Sequence, residues 1–182
     1  MPTIELEGVP LAYDDVGQGP VVVLLHAGIA DRRMWRHQVT ALRDRYRVLN
    51  VDLPGYGDCG LPLDGYANHD AIAGLLGALD VERAALVGCS FGGAVAVDTA
   101  LAYPARMGAL ALLAPAVSGY PWSHEFRELQ QAMFADIDEQ DGEAVARAEV
   151  RLWVIGPSRE PTDLDPVPAP RASATAAVTS GK

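Results

Sequence analysis

The 182 residues carry 24 acidic against 14 basic side chains, a net charge of −10, and no cluster of lysine or arginine, which excludes a nucleic-acid partner. A hydrophobic content of 49% supports one buried core, while two cysteines, Cys59 and Cys89, make neither a disulfide framework nor a metal site. The opening MPTIELEGVP shows no basic-then-apolar leader, and the longest apolar run, Val21 to Leu25, is far short of a membrane span; the expectation is a cytoplasmic protein without metal or cofactor.

Taken in order, Thr3 to Glu7 and Leu11 to Val16 alternate polar and apolar residues around Gly8-Val9-Pro10, the pattern of an antiparallel hairpin at a sheet edge. Val21 to Leu25 is a continuous β-branched and aliphatic run, as expected of a parallel strand buried on both faces. It ends in His26-Ala27-Gly28. Asp31 caps a predicted helix carrying Trp35, Val39 and Leu42 on one face. Arg47 to Leu53 predict a further strand closing on Pro54-Gly55-Tyr56-Gly57. A helix opening at Asn68 or His69 aligns Ile72, Leu75, Leu76 and Leu79.

The next pair is the most informative. Ala84 to Val87 read as a buried strand, Gly93 to Leu101 as a helix, and Gly88-Cys89-Ser90-Phe91-Gly92 joins them. A strand that turns sharply into a helix at a serine lifts the hydroxyl above the strand end, and small neighbours permit the turn. Ala109 to Leu113 predict one more buried strand, stopped by Pro115. Regular alternation of strand and helix predicts an α/β fold with a doubly wound, mostly parallel sheet of about six strands. In such sheets ligands bind at the carboxyl ends of the strands, where His26-Ala27-Gly28 and Ser90 both fall.

Beyond Gly119 the pattern changes. Trp122 to Ile137 and Glu143 to Trp153 have helical spacing and are expected to form a partial cap or lid over the site. Residues 161–182 are rich in Pro, Ala, Ser and Thr, and Pro166, Pro168 and Pro170 exclude a helix, so a disordered tail is expected, with the look of a shifted reading frame. The expected organisation is a core over 1–120, a helical cap over 121–160 and the tail.

Three motifs in order, LLHAGIAD, DLPGYGDCG and GCSFGG, together resemble the first two-thirds of an α/β-hydrolase, over roughly Ile4 to Asp165. The resemblance implies that Ser90 is the nucleophile, that Gly88 and Gly92 form its elbow, and that the backbone amides of Phe91 and Gly28 form the oxyanion hole. Family members usually have His-Gly where this chain has His26-Ala27, which leaves the second donor open by one position. The implied substrate is a small apolar ester, lactone or thioester, with Trp35, Phe91, Trp122, Phe126 and Phe134 as candidate pocket residues. A serine at the elbow disfavours the haloalkane dehalogenases of the same fold, which need a carboxylate there.

The family's acid and histidine follow the serine on later strands, and this chain has no counterpart of them. The histidines present fill the role poorly: His26 matches a structural turn residue, His37 a helix surface, His69 a helix start, and His124 enters the cap. Asp98 is about 12 Å along the helix from Ser90, at 1.5 Å per residue. Asp52 matches a structural position, and Asp163 and Asp165 a cap segment. Neither thiol has a sequence neighbour that would activate it. Three readings therefore stand together: a serine hydrolase, a catalytically impaired remnant of one, and a non-catalytic binding module. The strand at 109–113 is expected to present a bare apolar edge, prone to self-association.

Overall fold

The computed structural model describes residues 2–6, 8–61, 65–138 and 140–163. Two compact units divide after Gly119. In the first, six strands form one mixed sheet in the order β1-β2-β4-β3-β5-β6: β1 (Thr3–Leu6), β2 (Val9–Val16), β3 (Val21–Leu25), β4 (Arg47–Val51), β5 (Ala84–Cys89) and β6 (Met107–Leu113). The strands β4, β3, β5 and β6 are mutually parallel, and the β1–β2 hairpin adds to β4 antiparallel.

Period-two alternation sorts the apolar strand residues onto two faces. Val23, Leu25, Leu49, Val51 and Leu86 enter the larger core, closed by Ile72, Leu75 and Leu76 of α2 (Asn68–Ala78) and Val95 and Ala96 of α3 (Phe91–Ala102). Val22, Leu24 and Val48 enter the smaller core with Trp35, against which Val39 and Leu42 of α1 (Arg36–Leu42) pack. Uninterrupted strands such as VVVLL serve both cores at once, which is why they lack polar alternation. The predicted helix after Asp31 is a 3-10 turn (Arg32–Trp35) running into the short α1, with Asp31 accepting from the Arg33 amide at 2.9 Å. The helix after the elbow begins two residues earlier than its apolar pattern suggests, at Phe91.

The topology places the site. From β3 the chain passes to β4 on one side, then through α2 to β5 on the other side of β3, and on to β6. The outgoing connections of β3 and β5 thus diverge, opening a crevice at their carboxyl ends.

At the far edge, β6 pairs only with β5 among the described residues, and all of it beyond Met107 is solvent-exposed. The expectation of a buried strand with a bare outer edge is therefore corrected in part: the edge is bare, and so are its faces.

The second unit contains α4 (His124–Phe134), capped by Ser123, and α5 (Gly142–Val150), capped by Asp141, which continues into a wider turn over Arg151–Ile155. Its ring cluster consists of Trp122, Phe126 and Trp153, with centroids 4.9–5.8 Å apart. Residues 164–182, which include Asp165, the prolines 166, 168 and 170 and most of the expected tail, lie outside the described residues. Among the described residues no helix is long and apolar enough to cross a membrane.

Candidate active site

Ser90 stands between β5 and α3 with φ +50° and ψ −113°, a backbone conformation that non-glycine residues rarely hold and that costs on the order of 1–3 kcal/mol. The surroundings over-determine it. The Ser90 amide donates to Leu113 O at 3.0 Å, and its carbonyl accepts from Gly93, Ala94 and Ala116 at 2.9–3.1 Å. The two elbow glycines are required by close approach rather than by torsion. A Cβ on Gly88 would lie 2.7 Å from Gly93 Cα, and one on Gly92 would lie 2.5 Å from His26 O, at the end of β3. The Gly92 amide donates to that same carbonyl at 3.1 Å, locking the elbow to the neighbouring strand.

Phe91 is the first residue of α3, so its amide has no acceptor within the helix and sits at the positive end of the helix dipole. Gly28 lies beside it: a Cβ there would be 3.4 Å from Phe91 Cβ and 3.6 Å from Tyr56 Oη. The amide of Ala27, the other position left open for the second donor, is engaged by Met34 Sδ at 3.3 Å. The His26, Tyr56 and Phe91 rings adjoin in series at 5.0 and 5.9 Å, flanking Gly28.

His26 is fully buried and uses both ring nitrogens. Nε2 accepts from the Leu53 amide at 2.9 Å, so Nδ1 carries the proton of the neutral ring and donates to Ala27 O at 2.8 Å. It is a brace between two loops with no nitrogen left for Ser90. Burial holds its pKa below 6.5, against the opposing pull of the Ala27 carbonyl and of Asp52 and Asp31. The unfolded chain therefore takes up a proton near pH 6.5 that the folded chain refuses, so stability is greatest above that pH and falls as pH drops toward the folded value. At pH 6.5, where a free imidazole is half protonated, the His26 ring resonances in an NMR titration are expected to report a mainly neutral ring.

The remaining histidines are also committed elsewhere. His37 is exposed and accepts from Arg36 Nε at 3.1 Å, His69 lies 3.6 Å from Asp70, and His124 Nδ1 lies 3.3 Å from Glu128 on its own helix. Asp98 accepts from Ser118 Oγ at 2.6 Å. Cys59 donates to Pro10 O, and burial raises the pKa of both thiols, Cys59 and Cys89, which keeps them protonated. Cys89 packs on the smaller core, across the sheet from the α3 face. Trp35 is removed from the pocket candidates: at 4% exposure it is core, on the face covered by α1. Among the described residues no three His, Cys, Asp or Glu side chains converge as a metal site.

One supporting group has no signature in the motifs. Arg32 is buried under the site, its guanidinium paired with Asp52, with Asp58 at 2.8 Å and with Asp14 at 3.5 Å. Asp52, fully buried, also accepts the amides of Arg32 and Asp58 at 2.8 Å each. Burial alone would lower the Arg32 pKa, but the Asp58 hydrogen bond and the charges of Asp52, Asp14 and Asp58 outweigh it and hold the group protonated. The assembly ties the 3-10 turn before α1 to the loop that carries Tyr56. Its only sequence trace is an arginine beside a capping aspartate.

The profile of the Alpha/beta hydrolase family matches residues 22–181, and the chain belongs to that family. It is similar to a 2-hydroxy-6-oxo-6-phenylhexa-2,4-dienoate hydrolase of Comamonas testosteroni, 35% identical over 57% of this chain and 39% of that one. It is also similar to a pimeloyl-[acyl-carrier protein] methyl ester esterase of Aeromonas hydrophila, 41% identical over 57% and 41%. Among solved structures, a thermophilic esterase from Thermogutta terrifontis superposes with a TM-score of 0.66 at 31% identity, covering 81% of this chain and 55% of that one. The matches span between 36 and 63% of the length of the curated relatives.

Proposed function

We propose that the chain carries the nucleophile and oxyanion-hole half of a serine hydrolase acting on a small carboxylic ester, lactone or thioester. The observation that carries this reading is Ser90, held at positive φ by four backbone hydrogen bonds at the divergence of β3 and β5. In the proposed reaction Ser90 Oγ bonds to the acyl carbon, its proton passes to a base, and the alcohol or thiol leaves. Water then releases the acid. The amides of Phe91 and Gly28 stabilise the tetrahedral oxyanion, each such donor being worth roughly 3 kcal/mol of barrier. The rings of Phe91 and Tyr56 form the apolar wall beside Gly28.

Each of the described histidines has another partner, so none of them is placed as the base for Ser90. The 182-residue chain is therefore expected to be impaired in turnover, and a non-catalytic binding role is the second reading, favoured by that same occupancy. A fluorophosphonate probe separates them. Slow labelling of the chain, carried by the oxyanion-hole amides without a base and absent in Ser90→Ala and in Ser90→Gly, is the expected result. The glycine variant relieves the positive φ and so stays folded, which removes misfolding as an explanation. A folded chain that never labels would leave the binding reading.

A further inference from the structure

A trans peptide is planar, so its carbonyl and its N–H point in opposite directions, and holding both ends fixes the plane. In the His26–Ala27 peptide the carbonyl accepts from the Gly92 amide of the elbow at 3.1 Å, while the N–H donates to Met34 Sδ at 3.3 Å. In the next peptide Ala27 O accepts from His26 Nδ1 at 2.8 Å and from the Ala30 amide at 3.0 Å, which directs the Gly28 N–H the opposite way. Backbone groups and the braced His26 ring make these contacts, except for one, which is a thioether.

We propose that Met34 is a positioning residue for the reaction at Ser90. Its sulfur anchors the Ala27 amide on the side away from the elbow, and so sets where the Gly28 donor stands relative to Ser90 and Phe91. The role rests on the serine-hydrolase reading of the site.

The sulfur is presented from a fixed segment. Met34 lies in the 3-10 turn Arg32–Trp35, and its own amide donates to Asp31 O at 3.0 Å. On one side of it Arg32 is held by Asp52 and Asp58, and on the other Trp35 is buried in the smaller core. Met34 is itself partly buried against that core. A leucine would fill the same space, so packing does not call for a sulfur there; what the thioether adds is an acceptor, if a weak one. Without it the part-buried Ala27 amide loses its partner and the peptide it belongs to is held at one end only. With it, the Ala27 amide is withdrawn from the pocket, and Gly28 is left as the second oxyanion donor.

Met34→Leu and Met34→Gln in the full 182-residue chain test this. Leucine keeps the volume and removes the acceptor, whereas glutamine keeps the reach and supplies a carbonyl oxygen. In Met34→Leu the Ala27 amide proton is expected to shift in NMR spectra and to exchange faster with solvent. Fluorophosphonate labelling of Ser90 is expected to slow about fivefold in that variant, the weight of one hydrogen bond. Met34→Gln is expected to bring labelling back to within roughly twofold of the parent. A packing role alone gives the reverse order, with the apolar leucine near the parent and the polar glutamine the worse of the two. Labelling of Met34→Leu at the parental rate, or a loss that glutamine fails to recover, would overturn the proposal. A parent chain that never labels strikes the serine-hydrolase reading instead. The Ala27 and Gly28 amide resonances of the two variants then decide the role of Met34 by themselves: both unmoved in Met34→Leu would overturn it.

Discussion

Arg32→Ala is expected to lower the unfolding free energy by about 3–5 kcal/mol, the cost of leaving a buried carboxylate without its counter-ion. The figure rests on burial: the Arg32 side chain is 7% exposed and that of Asp52 is fully buried, so water cannot replace the lost partner. Arg32→Lys is expected to recover little. A guanidinium fork reaches Asp52 and Asp58 together, which an ammonium on a flexible stem does not reproduce. Urea unfolding of the two variants beside the parent measures both effects. Because Asp52 also holds the Asp58 amide, the loop bearing Tyr56 should loosen as well, with faster amide exchange around residues 55–60. A loss under about 1 kcal/mol would place Asp52 in contact with solvent and remove the Arg32 group from the support of the site.

Gly92→Ala is the second large effect. The new methyl would occupy the space of the Leu25 and His26 carbonyls at the end of β3, backbone atoms that no rotamer change can move. Accommodating it requires parting β3 from the elbow and breaking the Gly92-to-His26 hydrogen bond. The expected cost is at least about 3 kcal/mol, the upper end of overpacking in a closed site. Labelling of Ser90 should fall along with it, because the same displacement moves Phe91 and Gly28 apart. Thermal melts together with fluorophosphonate labelling rates report both. The control is Gly65→Ala, where φ is positive, unlike at Gly92, but no atom lies within 4 Å; its cost is confined to the local backbone and leaves labelling unchanged.

Members of the same fold place their nucleophile at a strand-to-helix turn, and here that turn was legible because every determinant is local. An apolar run, three glycines and a small-residue helix lie within about twenty residues of one another, and period-two and helical spacing then dictate strand and helix directly. The same locality made the α/β alternation readable from VVVLL, RVLNV and AALVGC, as well as the crevice at the strand ends, which follows from strand order in such sheets.

What was not legible depends on residues far apart in sequence. Trp35 has an aromatic side chain near the first motif, yet whether it faces the pocket or the smaller core depends on which side of the sheet α1 covers. His26 reads as a possible base until its two nitrogens are seen to be spent on Leu53 and Ala27, the first lying 27 residues away. Arg32 gains its meaning only from Asp52 and Asp58, brought under it when β3 and β4 pair.

The exposed state of β6 shows the same division. A short apolar run between Pro104 and Pro115 reads as a strand by its length and its flanking breakers, although its glycine and alanines have little β-preference of their own. Whether its faces are covered is a property of its neighbours. The amino-acid sequence thus determined the elbow at Ser90 and the family to which the chain belongs. Tertiary structure alone decided that the histidines are committed elsewhere and that the faces of β6 are exposed among the described residues, because both depend on long-range contacts that no local pattern encodes.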